Sequence, residues 1–86
     1  MKVINIPINV LVHTDTAGKH IPLKFETEIE GEKYSVKIDK VISIEVDMFK
    51  GSSVKKYVCQ CSINNVIRII EIKYNANTMQ WTLFKM

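Results

Sequence analysis

The sequence predicts an all-β fold, a small antiparallel meander of five or six strands that closes into a barrel or roll. Three observations predict it. Apolar residues recur with period two between turn-like tetrapeptides, the pattern of half-buried strands. β-Branched and aromatic residues dominate those stretches and suit a pleated surface. When neighbouring stretches are paired through their turns, their apolar sets share one face, which a one-residue slip would invert.

The first stretch alternates through Ile4, Ile6, Ile8, Val10 and Val12. Pro7 has no N–H and confines it to an edge or a bulge. Thr14 to His20 reads as a loop. The next hairpin is predicted to turn at Gly31-Glu32, with glycine supplying a positive φ. Phe25 then faces Ile38, Thr27 faces Val36 and Ile29 faces Tyr34. On the other side Glu30 meets Lys33, Glu26 meets Lys37 and Lys24 meets Asp39. A turn at Glu30-Gly31 would instead set Lys24 against Lys37, an unfavourable like-charge pair.

From Tyr34 to Val46 the alternation holds its phase, although Asp39-Lys40 interrupts the hydrophobicity. A straight strand of that length would run about 40 Å, against an expected radius of gyration of about 12 Å. The strand must bend near Asp39-Lys40 and pair with one neighbour early and another late, as in small closed sheets. A turn at Gly51-Ser52 then sets Ile42, Ile44 and Val46 against Cys61, Cys59 and Tyr57, with Asp47 opposite Lys56. Asn64-Asn65, a pair that tolerates left-handed conformations, sets Ile63 against Val66, Cys61 against Arg68, Cys59 against Ile70 and Tyr57 against Ile72. The last turn, within Asn75–Thr78, sets Tyr74 against Met79, Ile72 against Trp81 and Ile70 against Leu83. A helix over 63–74 is the rival reading. Ile63, Val66, Ile67 and Ile70 fit its spacing. Ile69 and Ile72 do not, and most residues from Val66 to Ile72 are β-branched.

The 86 residues form one domain, 1–86, near the lower end of sizes that fold unaided. A hydrophobic share of 47% excludes disorder, and no apolar run reaches the length of a membrane span. Met1 to Pro7 does not read as a signal peptide, so a cytoplasmic protein is expected. The net charge of +3 is modest, and Arg68 is the one arginine among twelve basic residues. Bidentate contacts to bases and phosphates favour arginine, so the charge supports nucleic-acid binding weakly. Cys59 and Cys61 share a strand face and read as buried thiols that pack like small hydrophobes.

From His20 onward a series of landmarks stands out. They are Pro22-Leu23-Lys24-Phe25, Gly31, Tyr34-Ser35-Val36, Cys59, Glu71-Ile72-Lys73-Tyr74 and Trp81-Thr82-Leu83-Phe84-Lys85. In this order the chain resembles a family of small uncharacterised bacterial proteins, mainly from low-GC Gram-positive organisms. It is more distantly similar to a short β-rich module found beside genes for translesion-type DNA polymerases. The resemblance covers about three quarters of the chain. It implies a fold and no chemistry, because its landmarks are aromatic, glycine and proline positions.

No catalytic, cofactor-binding or metal-ligating residue is expected. His13, Asp15 and His20 bracket a loop without a further ligand nearby. No nucleophile elbow or phosphate-binding glycine loop occurs. Arg68 on the apolar face is expected to lie near a strand end and reach solvent. The informative oddity is on the opposite face, where Val58, Ile67, Ile69, Phe84 and Met86 make an apolar set. The predicted registers put Ile69 beside Phe84 and Ile67 beside Met86. Either the N-terminal strand folds over them, with Val3 and Leu11 facing down, or they bind a protein partner or a second copy. The leading expectation is a non-enzymatic interaction module. The alternative is a single-strand nucleic-acid binder using Lys55, Lys56, Lys73 and Lys85. Tyr57 and Trp81, the aromatics it would need, are predicted to point inward.

Overall fold

A computed structural model describes residues 1–47 and 53–86. Six strands follow in chain order: β1 (Val3–Thr14), β2 (His20–Ile29), β3 (Glu32–Asp47), β4 (Val54–Ile63), β5 (Val66–Asn75) and β6 (Gln80–Lys85). Each pairs antiparallel with its sequence neighbour, and β1 pairs with β6 to close the barrel. Residues 63–74 carry no helix, as the β-branched content of the segment demands.

The closure depends on two long strands that change partners. β1 pairs with β6 over Val3–Ile8 and with β2 over Asn9–Thr14. β3 pairs with β2 over Glu32–Lys37 and with β4 over Ile38–Asp47. The barrel is therefore two sheets that share strands. Sheet A holds β3, β4, β5, β6 and the start of β1; sheet B holds the end of β1, β2 and the start of β3. The radius of gyration is 12.6 Å, so β3 does bend. Its register is irregular between Ile38 and Lys40, at the interrupting polar pair, and again between Val41 and Ser43. Asn5 adopts φ 55° at the irregularity between Val3 and Ile6 of β1.

Three predicted registers are corrected. The β2–β3 turn is Glu30-Gly31, with φ of 52° and 81°, so Phe25 pairs with Val36, Thr27 with Tyr34 and Lys24 with Lys37. Two successive positive φ values match the twist of the flanking strands, and that geometry outweighs a like-charge cost of tenths of a kcal/mol on an exposed face. In the β3–β4 pair Ile44 faces Tyr57, Val41 faces Cys59 and Ile38 faces Cys61, because the two irregularities displace the uniform alternation. The predicted turn at Gly51-Ser52 lies outside the described residues. In the β5–β6 pair Tyr74 faces Trp81 and Ile72 faces Leu83. Here the Asn75 side chain accepts from the amides of Asn77 at 2.9 Å and Thr78 at 3.4 Å. Met79 adopts φ 57°, and the turn spans four residues. The first and last corrections are slips of two residues, which preserve the faces.

The β4–β5 register is as predicted from Ile63↔Val66 to Tyr57↔Ile72, with Asn64 and Asn65 both left-handed. The core is the expected one along β4, β5 and β6, but Ile42, Ile44 and Val46 of β3, predicted on the inner face, are exposed where the irregular strand turns away. Tyr57, Cys59, Cys61, Ile70, Ile72 and Leu83 come from sheet A, Phe25 and Val36 from sheet B, and Ile8 and Ile38 lie close to where β1 and β3 change sheets. No helix among the described residues is long and apolar enough to cross a membrane.

Candidate interaction surfaces

Alternation on β4, β5 and β6 sends one set of side chains into the core and the other onto the outer wall of sheet A. Val58, Ile67, Ile69 and Phe84 belong to that wall. Ile67 is 66% exposed and Ile69 is 39% exposed, while Val58 and Phe84 are half-buried. The N-terminal strand does not lie over them. β1 joins β6 edge to edge, and its own Val3 and Leu11 point to solvent. Met86 leaves the predicted set, because it packs against the core. Phe84 moves too. Lys85 pairs with Glu71 and Leu83 with Ile72, so Phe84 sits at the irregularity between them, away from Ile69. The Lys73 ammonium lies 3.5 Å from the centre of its ring and that of Lys85 5.1 Å.

Beside the apolar set runs a charged band. Lys56 Nζ lies 2.7 Å from Glu45 Oε2 and 3.0 Å from Glu71 Oε1. Glu71 is buried, and its Oε1 faces the Lys56 ammonium. Bonding to Glu45 first and Glu71 second raises the Lys56 pKa, against a smaller opposing effect of burial. Lys56 and Lys73 are cross-strand neighbours. Three of the predicted lysines, Lys56, Lys73 and Lys85, thus share the outer wall. Lys55 pairs with Tyr74 on the inner side.

Tyr57 and Trp81 of sheet A face in, as predicted. Tyr57 is buried and Trp81 half-buried. Tyr57, Trp81, Tyr74 and His20 form a chain of ring contacts at one end of the barrel, with centroids 5.3, 4.7 and 5.4 Å apart. His20 is anchored there, its Nδ1 2.9 Å from Thr14 Oγ1. Asp15 Oδ1 accepts from the amides of Ala17 and Lys19 at 2.9 and 2.8 Å, and His13 is exposed. His20 and Asp15 are thus engaged separately, and no metal-holding cluster occurs among the described residues. Arg68 is exposed near the start of β5, opposite Cys61.

Cys59 and Cys61 are free thiols buried in the core. Burial pushes Cys59 up to about 12 and Cys61 up to about 11, helped by the neighbouring Cys61 and by Asp39 respectively. Both are protonated at neutral pH and out of reach of a substrate, whereas a nucleophilic cysteine needs thiolate character and access.

Two clefts open where the shared strands leave one sheet for the other. One of about 760 Å³ lies between the start of β1 and the end of β2, lined by Ile6, Pro7, Ile8, Thr27 and Tyr34 among others. Pro7 pairs with Thr82 of β6, and across the cleft its carbonyl accepts from Thr27 Oγ1 at 3.3 Å. The second, about 480 Å³, lies between the start of β2 and the later half of β3. Neither was foreseen from the sequence, because strand alternation says which face a residue takes and not where two paired strands part.

Comparison with known proteins finds no matching family model, no matching curated protein and no matching solved structure. The role of the barrel has to be read from its own surfaces.

Proposed function

We propose that the chain is a non-enzymatic interaction module that docks a protein partner, or a second copy of itself, through the outer wall of sheet A around Val58, Ile67 and Ile69. One observation carries this reading: Ile67 and Ile69 stand exposed side by side on β5, and no described part of the chain lies over them. Isolated exposed apolar residues are ordinary, but contiguous ones on a rigid sheet mark contact surfaces. The reading takes the cytoplasm as the place of action. Protonated, buried thiols remove the strongest nucleophiles in the chain from chemistry, which supports the non-enzymatic part.

Light scattering and affinity capture test the proposal with Ile67→Asp and Ile69→Asp beside the wild type. Either self-association or a captured protein is expected, and both variants should lose it. A wild type that stays monomeric at high concentration, and captures nothing the variants fail to capture, sinks the idea.

A second reading, single-stranded nucleic-acid binding, is favoured by Lys56, Lys73 and Lys85 lying on one wall around Phe84. It has an obstacle there. The Lys73 ammonium already covers a face of the ring on which a base would stack. Salt-sensitive binding to an oligothymidylate at low ionic strength would favour this reading over the first.

A further inference from the structure

The second cleft is a fork. β2 and β3 pair from Ile29↔Glu32 as far as Lys24↔Lys37 and then separate. Beyond that point His20–Pro22 pairs with β1 and Ile38–Asp47 with β4. The side of each strand that faces the fork has no strand partner among the described residues. Lys19, His20 and Ile21 line one side and Val41 to Ile44 the other. Ile42 is 49% exposed and Ile44 37% exposed. An open strand edge with β-branched apolar side chains is a template for a further strand. Pro22 deprives the β2 side of a donor, so the edge of β3 is the one that can accept a ladder.

Charge identifies the occupant. Lys24 and Lys37 stand directly opposite each other where the strands part, Lys40 follows on β3, and Lys19 lines the far end. Glu26 lies 3.7 Å from Lys24, the Asp39 carboxylate is turned toward β4, where Ser62 donates to it at 2.7 Å, and Glu45 is paired with Lys56. A like-charge pair costs stability in the free protein, and an incoming carboxylate would offset that cost. A second copy is the wrong occupant, because two-fold pairing of this edge would bring two lysine-rich forks together.

We propose that the fork between β2 and β3 is a docking site for an extended acidic segment of a partner protein, which adds as a strand to β3 at Val41–Ile44 and places its carboxylates against Lys24 and Lys37. This site is separate from the Ile67/Ile69 wall and stands or falls independently of it.

The probe is a labelled seven-residue peptide of alternating glutamate and valine. Its controls are a lysine–valine peptide and versions N-methylated along one edge or the other. Anisotropy should show binding that weakens with salt, and amide shift mapping should place it at Val41–Ile44 and His20. Methylation along one edge should abolish binding and along the other should not. Lys37→Glu supplies the sharpest result. It replaces a like-charge pair by an opposite-charge pair, so the variant should fold at least as stably as wild type. Its affinity for the acidic peptide should fall about tenfold or more. Equal binding of the lysine–valine peptide, shifts at Ile67 and Ile69 instead of the fork, or no binding at about millimolar peptide would overturn the proposal. So would tighter occupation of the fork by an oligothymidylate or by a second copy of the chain.

Discussion

The β4–β5 hairpin and strand β3 carry the same signal, alternating apolar residues, and use it differently. β4 and β5 pair from Val54↔Asn75 to Ile63↔Val66 without a break. β3 breaks phase twice within a few residues. The difference lies in what alternation asks each to bury. Along β4 and β5 every inward position near the middle is apolar. In β3 unbroken alternation would send Lys40 inward; the first irregularity turns it out, opposite Gln60, and brings Val41 in opposite Cys59. The second irregularity brings Ile44 opposite Tyr57. An extra residue in a strand bends it and increases its twist, so the same two defects that keep a lysine out of the core also turn the strand from one sheet to the other.

Substitutions on β5 sharpen the comparison most, because its ladder is regular and its two faces differ. Ile70→Ala should destabilise by about 2–5 kcal/mol, the cost of an emptied core site, whereas Ile67→Ala should change stability by less than about 0.5 kcal/mol. Urea unfolding of both variants measures the contrast. Equal effects would mean that the outer wall is as buried as the inner one.

The next largest effect is expected in alkali, from the thiols on β4. In the folded chain Cys59 and Cys61 keep their protons to about 12 and about 11, against an ordinary value of 9.0. Below the ordinary value both states hold the proton and the thiols contribute no pH dependence. Between it and the raised values the unfolded chain ionises first, and each thiol lowers stability by about 1.4 kcal/mol per pH unit. Lys56 acts in the same direction higher up, since its raised value lets it stabilise the fold until the pH climbs past it. Urea midpoints should hold level up to the ordinary thiol value and fall above it, toward about pH 11. Cys59→Ala with Cys61→Ala should flatten the early part of that fall. A wild-type profile level across this range would show that the thiols are wet.

The smallest effect concerns the turn that keeps β4 and β5 in register. Asn64 holds φ 50°, a conformation that β-branched side chains resist. Asn64→Val should cost about 1–3 kcal/mol and Asn65→Gly nothing, as read from thermal midpoints. A tolerated valine would mean that the ladder, and not the turn, sets the register.

These contrasts mark what was legible beforehand. The all-β class, the unbroken β4–β5 ladder and the inward course of Tyr57, Ile70 and Trp81 followed from alternation and from Asn64-Asn65. The bend in β3 was legible from Asp39-Lys40, but the changes of phase were not, because an irregularity costs nothing visible in composition. Ile67 and Ile69 were found by lying off the core face of β5. Phe84 and Met86 were misplaced because the Asx turn at Asn75 lengthened the loop by two residues and β6 is irregular at Phe84. The fork is not legible in the sequence because like charge argues against pairing Lys24 with Lys37, a register that the left-handed pair Glu30-Gly31 imposes.

The seam between the first and last strands has a kinetic meaning. The amide of Lys2 donates to the carbonyl of Met86 and the amide of Met86 to that of Lys2, each at 3.0 Å, so contacts of nearly the greatest possible sequence separation complete the ring. The five links between sequence neighbours can form early and cheaply, whereas this zipper must wait for the whole ribbon to curl, and contacts of such long range slow folding. A circular permutant that tethers Lys2 to Met86 and opens at Glu30-Gly31 would make the seam local and delay the β2–β3 link instead. Its refolding rate would report which closure governs the assembly of the ring.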